Sequence, residues 1–120
     1  MNITKNQPKN RMKKLLIVAV VLALSVAFSA KAADIAEKYK ASCAKCHGDD
    51  GKGQTKMGQK LGIKDFTDAK VQAELKDDAA TKAIKDGLKD KEGKILMKPA
   101  EGVSDDEVKA FVAYMRKFKK

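Results

Sequence analysis

Apolar residues form one long run near the start of the chain, interrupted only by Ser25 and Ser29, and its flanks indicate what kind of segment it is. The run covers residues 15–30, which makes it 16 residues long and shorter than the roughly 20 that a membrane-spanning helix needs. Residues 1–14 carry five basic and no acidic side chains, and Ala30 and Ala32 close the run as an A-x-A site. This order is typical of a secretory signal peptide. We therefore predict that residues 1–32 are cleaved and that residues 33–120 form the mature domain; a retained membrane anchor is the alternative.

After residue 32 the apolar positions follow helical rather than strand spacing. No two β-branched residues are adjacent there, and alternating apolar and polar runs are missing, so we predict an all-α domain. Four helices are predicted, in residues 34–46, 67–75, 77–86 and 105–118. The glycine-rich residues 48–62 and residues 88–102 are predicted to be loops.

The ends of these helices carry capping signals. Asp34 can cap the first helix, and Asp77 or Asp78 can cap the third. Ser104 and Glu107 form an S-x-x-E capping box before the last helix. The last helix therefore has the clearest boundary in the sequence.

The net charge changes its meaning once the leader is set aside. The whole chain has 26 basic and 16 acidic residues, a net charge of +10, but residues 1–32 hold six of the basic residues and no acidic one. Residues 33–120 therefore carry 20 basic and 16 acidic residues, a net charge of +4, interleaved along the sequence. This mild excess indicates a solvated surface rather than a nucleic-acid binder. We expect no membrane span after signal cleavage.

A mature chain of 88 residues makes one small domain. A domain of that size buries little apolar surface and often needs a metal, a cofactor or disulfides. It contains only five aromatic residues and no Trp, and a disulfide between cysteines two residues apart would close too small a loop to stabilise much. We therefore expect a bound group to fill the middle of the domain.

The chain's two cysteines, Cys43 and Cys46, lie beside its only histidine, His47. The pattern C-x-x-C-H is a signature of covalent c-type haem attachment. On a helix, side chains three and four residues apart lie on one face, so all three groups can meet the same ligand. Two thioether bonds would fix a porphyrin, and the imidazole would coordinate its iron.

Three other interpretations of this motif are weaker. A structural zinc site usually takes four ligands, and no second ligand cluster is present in the sequence. A thiol–disulfide oxidoreductase would place its C-x-x-C beside a βαβ pattern, which the sequence does not predict. A plain disulfide suits an exported protein but leaves the adjacent histidine unexplained.

The second axial ligand of a bound iron must come from elsewhere in the chain. No other histidine exists, and the methionines after residue 32 are Met57, Met97 and Met115. Met115 lies on the apolar stripe of the last predicted helix, where a core role is expected. Met97 follows His47 by fifty residues, far enough for its loop to reach the opposite face of a haem, and it is favoured over Met57.

Taken together, these features resemble the class I c-type cytochromes, in their small bacterial, periplasmic, monohaem form. The resemblance covers essentially all of residues 33–120 and rests on CAKCHG, the GDDGKG loop, LMKPAEGVSDDEV and the final FVAYMRKF. It implies one covalent haem c held by Cys43 and Cys46, with His47 as the proximal and Met97 as the distal iron ligand. It also implies an all-α, cytochrome c-like fold whose N- and C-terminal helices cross beside the haem.

Two details follow from the same resemblance. The helix crossing would bring Ala36 and Tyr39 against Phe111 and Tyr114. The family often has a proline after the histidine, whose carbonyl accepts a hydrogen bond from the imidazole, but here the only proline after residue 32 is Pro99. We expect another backbone carbonyl, in the region of Lys56, to take that role.

An iron with six ligands has no open coordination position, which favours electron transfer over oxygen binding or peroxide chemistry. We therefore predict a monomeric one-electron carrier, not an enzyme, that shuttles electrons between redox proteins in the periplasm of a bacterium. Three alternatives stay open, and two of them contain haem: an electron-entry subunit of a larger oxidoreductase complex, or a haem sensor if Met97 does not bind the iron. A thiol oxidoreductase without haem is a third.

Four lysines, Lys52, Lys56, Lys60 and Lys64, recur every four residues with no acidic residue between them. If they border the haem edge, they would steer the domain to an acidic patch on another redox protein. A loop that is basic only for solubility is the alternative.

Overall fold

The computed structural model describes residues 9–120, with the backbone alone for residue 9 and residues 22–30. That part of the chain contains six α-helices and one two-stranded antiparallel sheet. In chain order the elements are α1 (Lys9–Ser42), α2 (Ala44–His47), α3 (Lys56–Leu61), α4 (Ala69–Glu74), α5 (Asp77–Asp86), β1 (Leu88–Lys89), β2 (Ile95–Met97) and α6 (Asp105–Arg116). Helices dominate, which confirms the all-α prediction.

The first helix is longer than the sequence pattern predicted. α1 continues through the predicted cleavage site, so Asp34 lies inside it and does not cap a new helix. The lysine and alanines at residues 31–33 are good helix formers, which lets the helix propagate across this point. The chain consists of two compact units whose boundary lies at this point: residues up to Asp34 form one, and Ile35–Lys120 form the other. Cleavage after Ala32 stays a prediction.

The start of the predicted signal peptide, residues 1–8, lies outside the described residues. Within the described part of the chain, no helix combines the length and the apolar character that crossing a membrane requires.

Both predicted loops contain short regular elements. In residues 48–62 the structure has α3, because the Thr55 side chain accepts a hydrogen bond from the Gly58 N–H (2.9 Å) and Gly62 ends the helix in the left-handed region. In residues 88–102 it has the β1–β2 hairpin, where Leu88 pairs with Met97. Strands of two and three residues are too short to produce a visible alternation in the sequence.

The two central helices, α4 and α5, differ in whether a side chain caps their first turn. Asp68 caps α4, where its side chain accepts hydrogen bonds from the N–H groups of Lys70 (2.7 Å) and Val71 (3.1 Å). α5 begins after Lys76 without a side-chain cap, so the prediction that Asp77 or Asp78 caps it is wrong. Both aspartates lie instead in its first turn, where the positive end of the helix dipole favours them.

The last helix begins as predicted. The Ser104 side chain accepts from the Glu107 N–H (3.2 Å), and the Glu107 carboxylate accepts from the Ser104 N–H (2.9 Å), which confirms the capping box. α6 ends at Arg116, so Phe118 packs from beyond the helix rather than from its apolar stripe.

The core of the second unit joins α1 to α5 and α6. The rings of Tyr39 and Tyr114 lie 5.0 Å apart, centroid to centroid, which confirms this contact between the first and last helices. Among the core side chains of the described residues, Val108 and Tyr39 are the most deeply buried, at 1% and 2% exposed. The buried cluster consists of Ile35, Tyr39, Ala44, Ala80, Ile84, Val108, Phe111 and Val112.

A polar network holds the end of α6 against α4 and the start of α5. Arg116 donates through Nη1 to the Gln72 carbonyl (2.6 Å) and through Nη2 to the Asp77 carboxylate (2.6 Å). The buried Gln72 amide donates in turn to the carbonyls of Phe66 (2.7 Å) and Met115 (2.9 Å). A planar guanidinium with five donors can satisfy several acceptors at once, so Arg116 closes this side of the domain.

We expect Glu107→Gln to reduce the acid sensitivity of the fold. The hydrogen bond from the Lys38 ammonium, with those from Ser104, lowers the pKa of Glu107 from 4.5 to about 2. A lowered pKa contributes stability that is present above the unfolded value and is lost as the pH falls through the folded value. The free energy of unfolding, measured by denaturant titration between pH 7 and 2, should therefore fall less steeply below about 4.5 in the variant. Glu101→Gln, at an exposed loop position, is the control, and parallel profiles for Glu107→Gln and the wild type would contradict this account.

Candidate functional site

The two cysteines and the histidine lie on one helical turn, here called the CxxCH segment (residues 43–47). Cys43 interrupts the helix between α1 and α2, but its N–H still donates to the Tyr39 carbonyl (2.8 Å) and its carbonyl accepts from the His47 N–H (3.0 Å). Because the helical path continues across the break, Cys43, Cys46 and His47 stay near one face. Both thiols are free and half-buried.

The end of this segment and the glycine that follows it are held at three successive carbonyl groups, those of residues 46–48. In chain order these carbonyls accept hydrogen bonds from the Thr55 hydroxyl (2.8 Å), the Gly53 N–H (2.8 Å) and the Tyr39 hydroxyl (2.9 Å). The last carbonyls of a helix have no partner within it. The end of α2 is therefore fixed by contacts from α1 and from the loop that precedes α3.

His47 has the surroundings of a neutral ligand. Burial lowers its pKa, because desolvation disfavours the charged imidazolium. Its ring stacks on Phe66, with centroids 5.4 Å apart and planes inclined by 23°. A neutral imidazole keeps a lone pair on one ring nitrogen, which a metal ligand requires.

The hydrogen-bond acceptor expected for His47 is not where the sequence placed it. Nδ1 is buried and has no hydrogen-bond partner among the residues that the structure describes. The expected carbonyl near Lys56 belongs to the first turn of α3, where helix carbonyls accept from amides four residues later. The prediction of an acceptor in the Lys56 region is therefore wrong, because that region is helical rather than a loop.

Cys43 does not have the electrostatics of an attacking redox thiol. Burial, with a smaller contribution from Cys46, raises the pKa of the Cys43 thiol. The attacking cysteine of a thiol–disulfide oxidoreductase needs a lowered pKa to form a thiolate at neutral pH. The raised pKa of Cys43 therefore does not favour this thiol as the attacking group of such an enzyme.

The three methionines occupy different environments. Met97 is half-buried on β2 and packs against the core cluster, which Cys43 also contacts. Met57 is 39% exposed on α3, and Met115 lies on α6 at the edge of the core. Around Met97 the hairpin exposes three further apolar side chains, Leu88, Ile95 and Leu96. A large apolar ligand against this hairpin would remove part of their surface from water.

The lysines predicted as a basic surface are only partly alike in space. Lys56 and Lys60 lie one turn apart on α3 and are exposed. Lys64 lies 3.8 Å from the Glu74 carboxylate, and Lys52 is half-buried. The last of the four lysines, Lys64, therefore has an acidic neighbour, Glu74, and the spacing in the sequence could not reveal this contact.

Sequence reasoning missed the residues that hold the CxxCH segment. Thr55 carried a usable signal, because it directly precedes a helix and is a preferred N-cap residue type. The sequence gives no such signal for the hydrogen bond from the Tyr39 hydroxyl to the Gly48 carbonyl. It gives none for the close packing of Gly58 against the Cys46 carbonyl either. Both depend on which segments meet in the folded domain.

Comparisons with known proteins add the following findings. The family model described as cytochrome c matches residues 32–119. A solved structure described as KustC0563 c-type cytochrome is 36% identical, with 71% of this chain and 96% of that chain covered and a TM-score of 0.60. A tyrosine-to-phenylalanine mutant of Kustc0563 is 34% identical, with coverages of 72% and 99% and a TM-score of 0.59. No curated protein matches the chain significantly.

We expect Gly58→Ala to destabilise the domain, although alanine is the better helix former. A Cβ at Gly58 would lie 2.5 Å from the Cys46 carbonyl oxygen and 2.2 Å from that of Gly53. Overpacking of this kind costs about 1–3 kcal/mol, more than the helix propensity returns. The measurement is the free energy of unfolding in guanidinium. Gly62→Ala is the control, because its Cβ would meet nothing within 4 Å and only backbone strain remains; a Gly58→Ala protein as stable as the wild type would contradict the close packing.

Proposed function

The chain belongs to the cytochrome c family, and from that premise we propose that it is a periplasmic one-electron carrier whose haem iron is ligated by His47 and Met97. Proteins of this family bind haem c covalently and transfer electrons with it. The observation that carries the proposal is the CxxCH segment, where two free thiols and a half-buried imidazole of lowered pKa share one helical turn. Three hydrogen bonds, to the carbonyls of residues 46–48, hold the end of that turn in place.

The residues present fit a haem. Haem c, when bound, supplies a one-electron iron couple. In the proposal Cys43 and Cys46 hold the porphyrin through thioether bonds, and His47 offers a ring nitrogen to the iron. The unpartnered, buried Nδ1 of His47 supports this assignment, since no hydrogen bond within the described residues commits that nitrogen to another role. The exposed apolar side chains of the β1–β2 hairpin support it as well, because a porphyrin is largely apolar.

The choice of Met97 as the distal ligand rests on its neighbours. A distal ligand must come from an element other than the one that supports the histidine. Met57 lies on α3, whose first turn packs against the CxxCH segment through Gly58 and Thr55. Met97 lies on the separate β1–β2 hairpin and is half-buried against the core. A thioether ligand favours the reduced iron and raises the potential relative to two histidines.

With six ligands the iron has no open position for a substrate, so the protein carries electrons and is not an enzyme. The basic, apolar and A-x-A pattern of residues 1–32 supports export and cleavage, which would leave residues 33–120 as a monomer in the periplasm. Other redox proteins are its partners in this proposal.

The first test is the intact mass and absorption spectrum of the protein expressed in a bacterium able to attach haem c. We expect the mass of residues 33–120 plus one haem, and a low-spin, six-coordinate spectrum with the ferric near-infrared band of methionine–iron ligation. A colourless protein with the mass of its polypeptide alone contradicts the proposal. A retained leader would contradict cleavage only.

We expect Met97→Ala to lose the methionine–iron band, become high-spin and bind carbon monoxide in the ferrous state, because one coordination position opens. Met57→Ala is the matched control and should keep the wild-type spectrum. If the two variants exchange these outcomes, Met57 is the ligand. Rapid carbon monoxide binding by the wild type would favour a sensor.

We also propose that Lys56 and Lys60 on α3 contribute to docking on acidic redox partners. Both are exposed, with no acidic oxygen within 4 Å among the described residues. Like charges one helical turn apart create a local positive field that salt screens within about 10 Å at 0.1 M.

The expected result concerns a gold electrode coated with a carboxylate-terminated monolayer. The voltammetric current of the wild type should fall steeply with ionic strength, and Lys56→Gln/Lys60→Gln should lower the current and flatten the salt dependence. Lys70→Gln/Lys82→Gln removes the same charge from α4 and α5 as the control. Identical salt profiles for both double variants would mean that net charge alone, and not this surface, governs the contact.

A further inference from the structure

We propose that Gly87 is a positioning residue for Met97, so that the C-terminal end of α5 determines where the distal ligand is presented. This inference rests on the proposed ligation of iron by Met97. Gly87 follows α5 with φ +75° and ψ −176°. Only glycine populates that backbone region readily, and any other residue there is strained.

The space beside Gly87 is filled by the backbone that carries Met97. A Cβ at Gly87 would lie 2.5 Å from the Met97 carbonyl oxygen and 3.0 Å from both the nitrogen and Cδ of Pro99. These atoms belong to the main chain or to a ring closed onto it, so they cannot rotate away as the tip of a flexible side chain can. A side chain at Gly87 would therefore move residues 97–99 away from the end of α5.

Two further contacts tie the same segment to α5. Met97 pairs with Leu88, the residue directly after Gly87, in the β1–β2 sheet. The Ala100 N–H donates to the carbonyl of Ile84 (2.8 Å), and the Ile84 side chain is buried in the core. The main chain of Met97 is thus fixed from both sides by the last turn of α5 and the strand that follows it.

Other glycines nearby have the unusual backbone without the contact. Gly93, at the tip of the same hairpin, has φ +83°, and Gly102, after β2, has φ +69°. A Cβ at either position would meet nothing within 4 Å. Gly93 and Gly102 are needed only for their turns, whereas Gly87 both forms a turn and leaves space for the Met97 carbonyl.

The test compares Gly87→Ala with Gly93→Ala in the haem-loaded protein. Gly87→Ala should raise the population without methionine ligation at least about tenfold, equivalent to 1.4 kcal/mol. The readouts are loss of the ferric methionine–iron band, carbon monoxide binding by the ferrous form, and faster hydrogen exchange at the Ala100 amide. Gly93→Ala should stay within about twofold of the wild type in each, because its strain falls on an exposed loop tip.

A purely structural role for Gly87 would lower the unfolding midpoint and leave these readouts unchanged, which would overturn the proposal. An equal loss in Gly93→Ala would also overturn it, since backbone strain alone would then suffice. If the wild type itself has no methionine band and Met97→Ala alters nothing, the proposed ligation has failed, and with it the premise.

If Gly87→Ala is recovered without haem, Ala100→Pro decides the matter. It removes the N–H that bonds to Ile84 and leaves Gly87 intact. We expect it to weaken methionine ligation while thioether attachment and helix content persist. Full retention of the methionine band, or failure of this variant to acquire haem, would contradict a contact that acts only on the distal ligand.

Discussion

The rest of the site depends on the hydrogen bonds that fix the carbonyls at the end of α2. A short helix cannot satisfy its own last carbonyls, so the Tyr39 hydroxyl, the Thr55 hydroxyl and the Gly53 N–H supply the missing donors. The Tyr39 ring belongs to the buried cluster between α1 and α6. Through the Tyr39 bond, the orientation of the CxxCH segment depends in part on the packing of the first and last helices, and a change in that packing reaches this turn directly.

The small size of the domain limits how much stability the burial of its own side chains can supply. Few large side chains are fully buried, and much of the hairpin's apolar surface is exposed within the described residues. Small domains gain little from burial alone. Part of the cohesion comes instead from polar contacts, such as the Arg116–Gln72 network and the capping box of α6. A covalently held haem would add apolar contact area without the entropic cost of recruiting a free ligand.

The two proposed iron ligands are supported in different ways. His47 lies on a turn whose last carbonyls accept hydrogen bonds from other segments, and the His47 ring stacks on Phe66. Met97 lies on a two-stranded hairpin, which has little stability of its own, and is held mainly by backbone contacts to the end of α5. The histidine side of the site is thus held by ring stacking and by hydrogen bonds to its turn, whereas the methionine side packs against the core cluster and is fixed by a few backbone contacts around Gly87.

The sequence alone determined the features that depend on neighbouring residues. Helical spacing gave the all-α class, S-x-x-E gave the start of α6, and C-x-x-C-H identified a cysteine–histidine turn whose family the comparisons support. Tertiary structure alone decided the features that need distant segments to meet. These include the hairpin that contains Met97 and the hydrogen bond from Arg116 to Asp77. They also include the backbone carbonyls that lie close to Gly58 and Gly87. Local propensity depends on adjacent residues and can be inferred from the sequence. A carbonyl that occupies the space beside a glycine comes from a distant segment, so only the folded structure shows it.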